Sequence, residues 1–244
     1  MRVVGKLVIS TVVLVLILVC LSPVVFYLYG MTLLPLSRDP ASADSVPSIA
    51  RTLLWLEIGG VGRPELVVLN PYTHFTAPSG PAMRLAVSAG RSLLRSEAPP
   101  SPWTSRQWQL VYFSSVVWTS RHWSVDEALA TVLSRAYYGH EFYGFDSAAK
   151  GYFGLHSSTL TPFEIAQLVV LAKNASRYDP WCRQKANMER ATGLVAPFTS
   201  DHTTRIRSAP VHACSYGMSC NKSRKLFVLE KCDEGTSYSV HAVQ

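Results

Sequence analysis

Acidic residues are scarce in this chain, and two long stretches lack charge of one or both signs. Asp and Glu together number 16 among 244 residues. No Asp or Glu occurs from Ala98 to Val125, and no charged residue of either sign occurs from Leu7 to Ser37. The first gap excludes a catalytic or metal-binding carboxylate from its segment. The second gap is typical of a membrane span.

The uncharged N-terminal stretch predicts a membrane anchor. Its most apolar part, Leu7 to Tyr29, is long enough to cross a hydrocarbon core of about 30 Å. Arg2 and Lys6 precede it, and this positive-inside bias predicts a cytoplasmic N-terminus with the remaining chain outside. A cleaved signal peptide is the alternative, because Ala41-Ser-Ala43 has the form of a cleavage site. The apolar run is longer than a signal core and ends far from Ala43, which favours an uncleaved anchor.

The chain is basic, with a formal net charge of +7 and a pI near 9.3. This balance suits a protein that works beside an anionic membrane or on a negatively charged substrate. A basic balance also suits general solubility or the binding of nucleic acid. A secretory-type anchor argues against nucleic acid as a partner.

The chain has five cysteines, of which Cys20 lies in the predicted span. The other four would face an oxidising compartment, and they are Cys182, Cys214, Cys220 and Cys232. Their spacing does not form a zinc site, and we assign no metal ligand anywhere in the chain. We expect one or two disulfides among these four, with three pairings open.

Helical patterns dominate the rest of the chain. Ser124-x-x-Glu127 and Thr161-Pro-x-Glu164 are capping boxes, each followed by apolar residues at helical spacing. Strand signals are scarce, apart from a short extended piece at Leu66 to Leu69. Further helices are predicted at Ser48–Glu57, Met83–Leu94 and Ser105–Trp123. The sequence therefore predicts a mainly α fold, with a tail after Phe198 that loses periodicity.

Short fragments stand in a fixed order at fixed spacing between Ser124 and Pro180. They are Ser124-Val-Asp-Glu127, Tyr137-Tyr-Gly139, Tyr143-Gly144, Ala148-Ala149, Tyr152-Phe-Gly154, Leu160-Thr-Pro-Phe-Glu164 and Ser176-Arg-Tyr-Asp-Pro180. This series resembles the C-terminal half of the peptidoglycan glycosyltransferase (transglycosylase) domain of monofunctional transglycosylases and class A penicillin-binding proteins.

The resemblance implies a lysozyme-like, mainly α glycosyltransferase domain behind one N-terminal transmembrane helix. We divide the chain into a cytoplasmic tip and anchor at 1–37, a transglycosylase-like domain at 38–198, and a cysteine-containing tail at 199–244. The implied location is the bacterial inner membrane, as a single-pass protein with its globular domain on the periplasmic side. The implied partners are the lipid-linked peptidoglycan precursor, the glycan strand, the membrane and other cell-wall synthesis proteins.

The resembling family joins sugars from a lipid-linked disaccharide precursor. An acceptor hydroxyl attacks the anomeric carbon, which requires a carboxylate as base. Cationic groups, often with a divalent metal such as Mg²⁺ or Mn²⁺, stabilise the pyrophosphate leaving group. The segment Pro47 to Glu57 is similar to the family segment that leads into the first catalytic Glu. Glu57 is therefore the candidate base, although a Glu in the last turn of a helix is ordinarily a solvated surface residue.

The substrate groove of the family has weaker counterparts here. Arg91 is expected where the family has a Lys and could contact pyrophosphate, and Arg106 is taken as the Arg of the motif that carries the second catalytic Glu. Arg177 and Tyr178 are expected to border the donor groove. A lone Arg on a helix, such as Arg91, is more often simply exposed, and a structural role suits Arg177 and Tyr178 as well as a place in the groove.

The second catalytic Glu of the family has no counterpart. Depending on the alignment, its position falls on Leu110 or Tyr112, and Gln109 could offer a hydrogen bond without charge. Two hypotheses therefore stand: a divergent transglycosylase with Glu57 as base, and a catalytically degenerate homologue that binds precursor or glycan as a scaffold or regulator. A secreted lysozyme-like hydrolase is a third, weakened by the same shortage of paired carboxylates.

Overall fold

A computed structural model of the chain describes residues 2–95 and 103–198, with side chains from Ile9 onward. It contains eight α-helices in these ranges: α1 (Arg2–Leu33), α2 (Ser48–Glu57), α3 (Pro81–Leu94), α4 (Ser105–His122), α5 (Val125–Ser134), α6 (Phe145–Phe153), α7 (Pro162–Lys173) and α8 (Gln184–Val195). The described residues form no strand, and a single bridge pairs Tyr137 with Tyr143. The predicted mainly α fold is confirmed.

The predicted helices begin and end close to where the sequence places them. Both predicted capping boxes form, at Ser124 and at Thr161. A third, formed by Thr104 and Gln107, starts α4. The helix predicted from Met83 begins two residues earlier at Pro81, whose fixed φ suits a first helical position. The extended piece expected at Leu66 to Leu69 forms no strand.

Helix α1 holds the one candidate membrane span of the described chain. Ile9–Leu33 is long and apolar enough to cross a membrane, by length and composition. The C-terminal end of this helix packs on α4. Gly30 makes this approach close, since a Cβ there would collide with the carbonyl of Leu110 and the hydroxyl of Ser114. Ser114 also donates a hydrogen bond of 3.0 Å to the carbonyl of Tyr27.

The remaining helices surround one apolar core. Helix α3 packs on α4 and α5, while α2 packs on α7 and α7 packs on α8. Tyr138 and Tyr152 lie fully inside this core, and their hydroxyls donate to the carbonyls of Leu133 (2.9 Å) and Tyr138 (2.7 Å). Desolvation raises the pKa of both phenols, so both remain protonated donors. Tyr138 and Tyr152 are thus part of the scaffold, whereas Tyr137 and Tyr143 of the same fragments are exposed.

A tight turn joins the two residues of the Tyr137–Tyr143 bridge. The backbone N–H of Tyr138 donates to the carbonyl of Phe142 at 2.9 Å, and His140 and Glu141 occupy the centre with φ of 49° and 65°. These angles are left-handed, a region that favours glycine. His140 is held there by Asp179, whose carboxylate lies 2.7 Å from its Nε2, and by a tilted ring contact with Trp181 at 4.5 Å.

Cys182, which follows this region, is disulfide-bonded. This agrees with the expectation of at least one disulfide among the four later cysteines. Cys214, Cys220, Cys232 and the rest of the tail after Phe198 lie outside the described residues. So does the segment Glu97–Pro102, whose three prolines predict a break in the helical pattern.

Candidate active site

Glu57, the candidate base, is the last residue of α2, and its side chain is fully buried. Its Oε1 lies 2.6 Å from the Nζ of Lys173, and its Oε2 lies 3.0 Å from the Nε and 2.9 Å from the Nη2 of Arg190. The two cationic side chains are 46% and 47% exposed. The carboxylate is therefore covered by two cations that themselves reach solvent.

This ion-pair cluster of Glu57, Lys173 and Arg190 is built by the packing of three helices. Lys173 ends α7, and Arg190 lies within α8. Lys173 also reaches the backbone carbonyl of Glu57 at 3.4 Å, so it closes the C-terminus of α2. A cation at a helix C-terminus is favoured by the helix dipole. The expectation that a Glu in this position is solvated is wrong here, because α7 and α8 cover it.

The geometry leaves Glu57 no solvent-exposed oxygen for proton transfer. A general base must lie within hydrogen-bond reach of the hydroxyl that it deprotonates. Both oxygens of Glu57 are already hydrogen-bonded to cations, and its side chain has no exposed surface. Glu57 could accept a proton from a sugar only after at least one of its two ion pairs opened.

A cavity of about 370 Å³ lies beside the end of α2. It is lined by Trp55 and Gly59, which flank Glu57 in sequence, and Glu57 does not line it. Its other lining residues come from the connection to α3 and from the start of that helix: Val61, Arg63, Glu65, Val67, Pro78, Gly80, Pro81, Ala82 and Met83. Arg63 and Glu65 are the charged groups of this lining.

The other predicted site residues are not among the ion-pair partners of Glu57, which are Lys173 and Arg190. Arg91 is exposed near the end of α3, with its guanidinium 5.5 Å from the ring centre of Tyr112. Arg106 is exposed in the first turn of α4. Arg177 is exposed beyond α7 and lies over the half-buried ring of Tyr178 at 5.5 Å. Lys173 and Arg190, the partners that Glu57 actually has, carry no signal in the sequence that marks them as site residues.

The segment where the resemblance places the family's second Glu forms the first half of α4. Leu110 and Tyr112 are half-buried there, and Gln109 is exposed. None of the three supplies a carboxylate. The structure therefore offers no charged replacement at the positions where the resemblance places this residue.

The residues around Glu57 do not fit a Mg²⁺ or Mn²⁺ ion. Such ions take oxygen ligands, chiefly carboxylates. Both Glu57 oxygens face cationic nitrogens, which would repel a metal ion. Within the part of the chain that the structure describes, no group of three His, Cys, Asp or Glu side chains could hold a metal. We derive no catalytic step through a metal.

Comparison with known proteins identifies the C-terminal helices. Residues 103–197 match the sequence family described as Transglycosylase. A stretch of 90 residues is 33% identical to penicillin-binding protein 2D of Bacillus subtilis (strain 168). This stretch is 37% of the present chain and 13% of the length of that protein. These matches support a transglycosylase domain in the matched part of the chain, and the described residues are mainly helical, as in the lysozyme-like fold of such domains.

Proposed function

We propose that this protein takes part in peptidoglycan strand synthesis by binding the lipid-linked disaccharide precursor at the membrane, without polymerising it. The transglycosylase domain supports a peptidoglycan glycosyltransferase-like role in general. One observation carries the finer proposal: the carboxylate of Glu57 is fully buried and paired with both Lys173 and Arg190.

Loss of polymerisation follows from what the reaction requires. Deprotonation of the acceptor hydroxyl needs an accessible carboxylate, and the developing charge on the pyrophosphate needs positioned groups. Glu57 is inaccessible, and no Asp or Glu stands between Ala98 and Val125 to act beside it. Removal of a single positioned charged group can lower a rate by about two to three orders of magnitude. Two such losses would leave little turnover.

Binding makes fewer demands, and the chain meets them. Its net charge is +7, and α1 brings the domain to a membrane if it spans one. The exposed guanidinium groups of Arg91, Arg106 and Arg177 suit a pyrophosphate. In this proposal the domain occupies residues 38–198 on the periplasmic side of the bacterial inner membrane, and presents precursor or glycan to other cell-wall synthesis proteins.

A working transglycosylase is the second candidate, and one observation favours it. Glu57 stands at the end of α2, where the resemblance places the base, and its two cationic partners are half-exposed. An incoming pyrophosphate could attract Lys173 and Arg190 away from Glu57 and free the carboxylate.

Polymerisation and binding of labelled lipid-linked precursor by the purified full-length protein distinguish these candidates. Glu57→Gln is the test variant, and Glu189→Gln is the matched control on the exposed face of α8. Thermal unfolding confirms that each variant is folded, and an active transglycosylase confirms that the precursor is competent. We expect saturable binding and no glycan strands from the wild type and both variants.

Two other outcomes would overturn the proposal. Strands that form with the wild type and Glu189→Gln, and vanish with Glu57→Gln, would establish an enzyme that uses Glu57. Absence of both strands and binding would show that the domain has no contact with the precursor.

A further inference from the structure

Two arginines near the C-terminal end of α1 have no acidic partner. Arg38 follows α1, and Arg121 lies in the last turn of α4, the helix on which α1 packs. Both positive charges act electrostatically on the phenol of Tyr27 in α1, so the two guanidinium groups lie near the same part of that helix. Neither forms an ion pair with an Asp or Glu of the described chain. This end of α1 therefore carries two positive charges that no described acidic side chain neutralises.

Hydrogen bonds and ring contacts fix the position of Arg38. Its Nε donates to the carbonyl of Pro35 at 3.0 Å and its Nη2 to the carbonyl of Met31 at 3.1 Å, which closes the C-terminal turn of α1. The guanidinium lies 5.8 Å from the ring centre of Trp118 in α4. Trp123 donates from its Nε1 to the carbonyl of Arg38 at 3.1 Å. These bonds do not use the N–H groups on the Nη1 of Arg38, which can therefore donate to a ligand.

The second arginine, Arg121, is exposed and lies three residues after Trp118 in α4, so the two side chains are neighbours on one face of the helix. Its Nη1 donates to the carbonyl of Leu69 at 3.3 Å. The hydroxyl of Ser120 accepts from the N–H of Leu69 at 3.1 Å, so both backbone polar groups of Leu69 are held against the end of α4. The N–H groups on the Nε and Nη2 of Arg121 donate to no residue of the described chain. The arginine pair, Arg38 and Arg121, thus has unused donors beside the ring of Trp118.

The carbonyl of Met31 sets the level of the arginine pair relative to a membrane. The candidate span Ile9–Leu33 has 25 residues, which is about 37 Å of helix, whereas the hydrocarbon core of a bilayer is about 30 Å thick. A centred span therefore extends beyond each edge of the core by about 3 to 4 Å, or roughly two residues. Met31 stands two residues before Leu33, so the carbonyl that Arg38 binds lies at the edge of the hydrocarbon, next to the headgroup layer. Tyr and Trp side chains, such as Tyr27 and Trp118 here, are enriched at this level.

A phospholipid phosphate is the anion that fits this place. Unpaired positive charge at the edge of the hydrocarbon is costly, and a guanidinium pairs well with phosphate oxygens through two parallel N–H groups. The phosphodiester of a phospholipid lies in the adjoining headgroup layer. Because the site carries two positive charges and no described acidic partner, it favours a headgroup with net negative charge, such as that of phosphatidylglycerol. The ammonium of a zwitterionic headgroup would be repelled by the same charges.

We propose that Arg38 and Arg121 bind the phosphate of one anionic phospholipid, of the phosphatidylglycerol class, at the C-terminal end of α1. Trp118 supports the guanidinium of Arg38 from one side, and the lipid neutralises the arginine pair. The inference requires that α1 spans the membrane. It is independent of precursor binding, because the cationic partners of Glu57 lie on α7 and α8, so either proposal can fail without the other.

Native mass spectrometry of the full-length protein tests the site. The protein in micelles is titrated with dioleoylphosphatidylglycerol or dioleoylphosphatidylcholine, and the amount of retained lipid is measured. These two lipids have the same acyl chains, so a difference between them reports on the headgroup. Arg121→Gln is the main variant, because the side chain makes one hydrogen bond that an amide can replace. Arg183→Gln, at an exposed arginine just before α8, is the matched control, and Arg38→Lys keeps the charge at position 38. Thermal unfolding confirms that each variant is folded.

We expect the wild type and Arg183→Gln to retain phosphatidylglycerol several-fold more strongly than phosphatidylcholine. Arg121→Gln should lose most of this preference, and Arg38→Lys should weaken it, because an ammonium lacks the paired N–H groups of a guanidinium. Equal retention of both lipids by the wild type, or an unchanged preference in folded Arg121→Gln, would overturn the proposal. An equal loss in Arg183→Gln would also overturn it, since that result indicates nonspecific attraction. Displacement of phosphatidylglycerol by the lipid-linked precursor, one molecule for one, would assign the arginine pair to the precursor instead.

Discussion

The two parts of the globular region share one core but differ in what their sequences retain. Helices α4 to α8 lie in the segment that matches the transglycosylase family, and several residues of the fragments that carry the resemblance are packed or capping groups, among them Tyr138, Tyr152 and Ser124. Helices α2 and α3, which lie outside the match, carry Glu57, and that side chain is turned into the protein. Sequence similarity in this chain therefore follows packing and capping, while the candidate chemistry lies where similarity is weak.

The strongest test of this contrast is Glu57→Ala. If the ion-pair cluster is structural, the variant loses two buried ion pairs and leaves a void. Breaking a buried pair costs about 3–5 kcal/mol, and the half-exposed partners reduce this, so we expect a loss of about 2–3 kcal/mol in the free energy of unfolding. Denaturant unfolding in micelles measures it, with Glu189→Ala as a control near zero. An unchanged free energy for Glu57→Ala would remove the structural role.

Tyr152→Phe tests whether a buried tyrosine of the segment that matches the family, residues 103–197, stabilises the fold. It removes a buried hydroxyl and leaves the carbonyl of Tyr138 without this donor. We expect a loss of about 1–3 kcal/mol from the unsatisfied acceptor. Tyr143→Phe, on an exposed ring, should be neutral in the same unfolding measurement. Equal effects of the two substitutions would contradict a scaffold role for the buried tyrosine.

Asp146, in α6 of the matched part, should make the free energy of unfolding depend on pH. The hydrogen bond from the Lys150 ammonium lowers the pKa of this carboxyl most. Hydrogen bonds from Ser157 and the positive charge of Lys150 lower it further, against a smaller opposing effect of burial, so the pKa lies well below its usual range. A carboxyl whose pKa is lower in the folded than in the unfolded state stabilises the fold at pH values above its unfolded-state pKa. This stabilisation is lost as the pH falls through the folded-state pKa. Asp146→Asn should therefore destabilise at pH 7, and the penalty should shrink below about pH 4. A pH-independent penalty in unfolding curves would contradict this.

The smallest expected effect is at the turn centred on His140 and Glu141. Glu141→Gly removes a left-handed non-glycine residue, which costs about 1–2 kcal/mol, and adds glycine's extra unfolded-state entropy. The net result should be a gain of up to about 1 kcal/mol. Thermal unfolding beside Glu141→Ala, which keeps the strain, measures it. Destabilisation by glycine would mean that the Glu141 side chain stabilises the turn.

Local signals made the helices predictable, and distant packing made the site unpredictable. Each capping box, at Ser124, at Thr161 and at Thr104, marks the start of a helix by an interaction between residues only three positions apart. The partners of Glu57 lie 116 and 133 residues away. No spacing near Glu57 indicates that Lys173 and Arg190 will cover it, so only the assembled helices show its burial.

The unbroken course of α1 onto α4 has a consequence for how the protein would find its ligand. Helix α1 is continuous from Arg2 to Leu33 and packs closely on α4 at Gly30. If α1 spans a membrane, this packing leaves the domain little freedom to tilt or to rise above the membrane surface. An anchored domain of fixed height encounters lipid-carried headgroups by lateral diffusion in a plane. If α1 spans a membrane and the domain binds a lipid-linked precursor as proposed, its search is two-dimensional, and its encounter rate depends on the surface density of the lipid rather than on any concentration in solution.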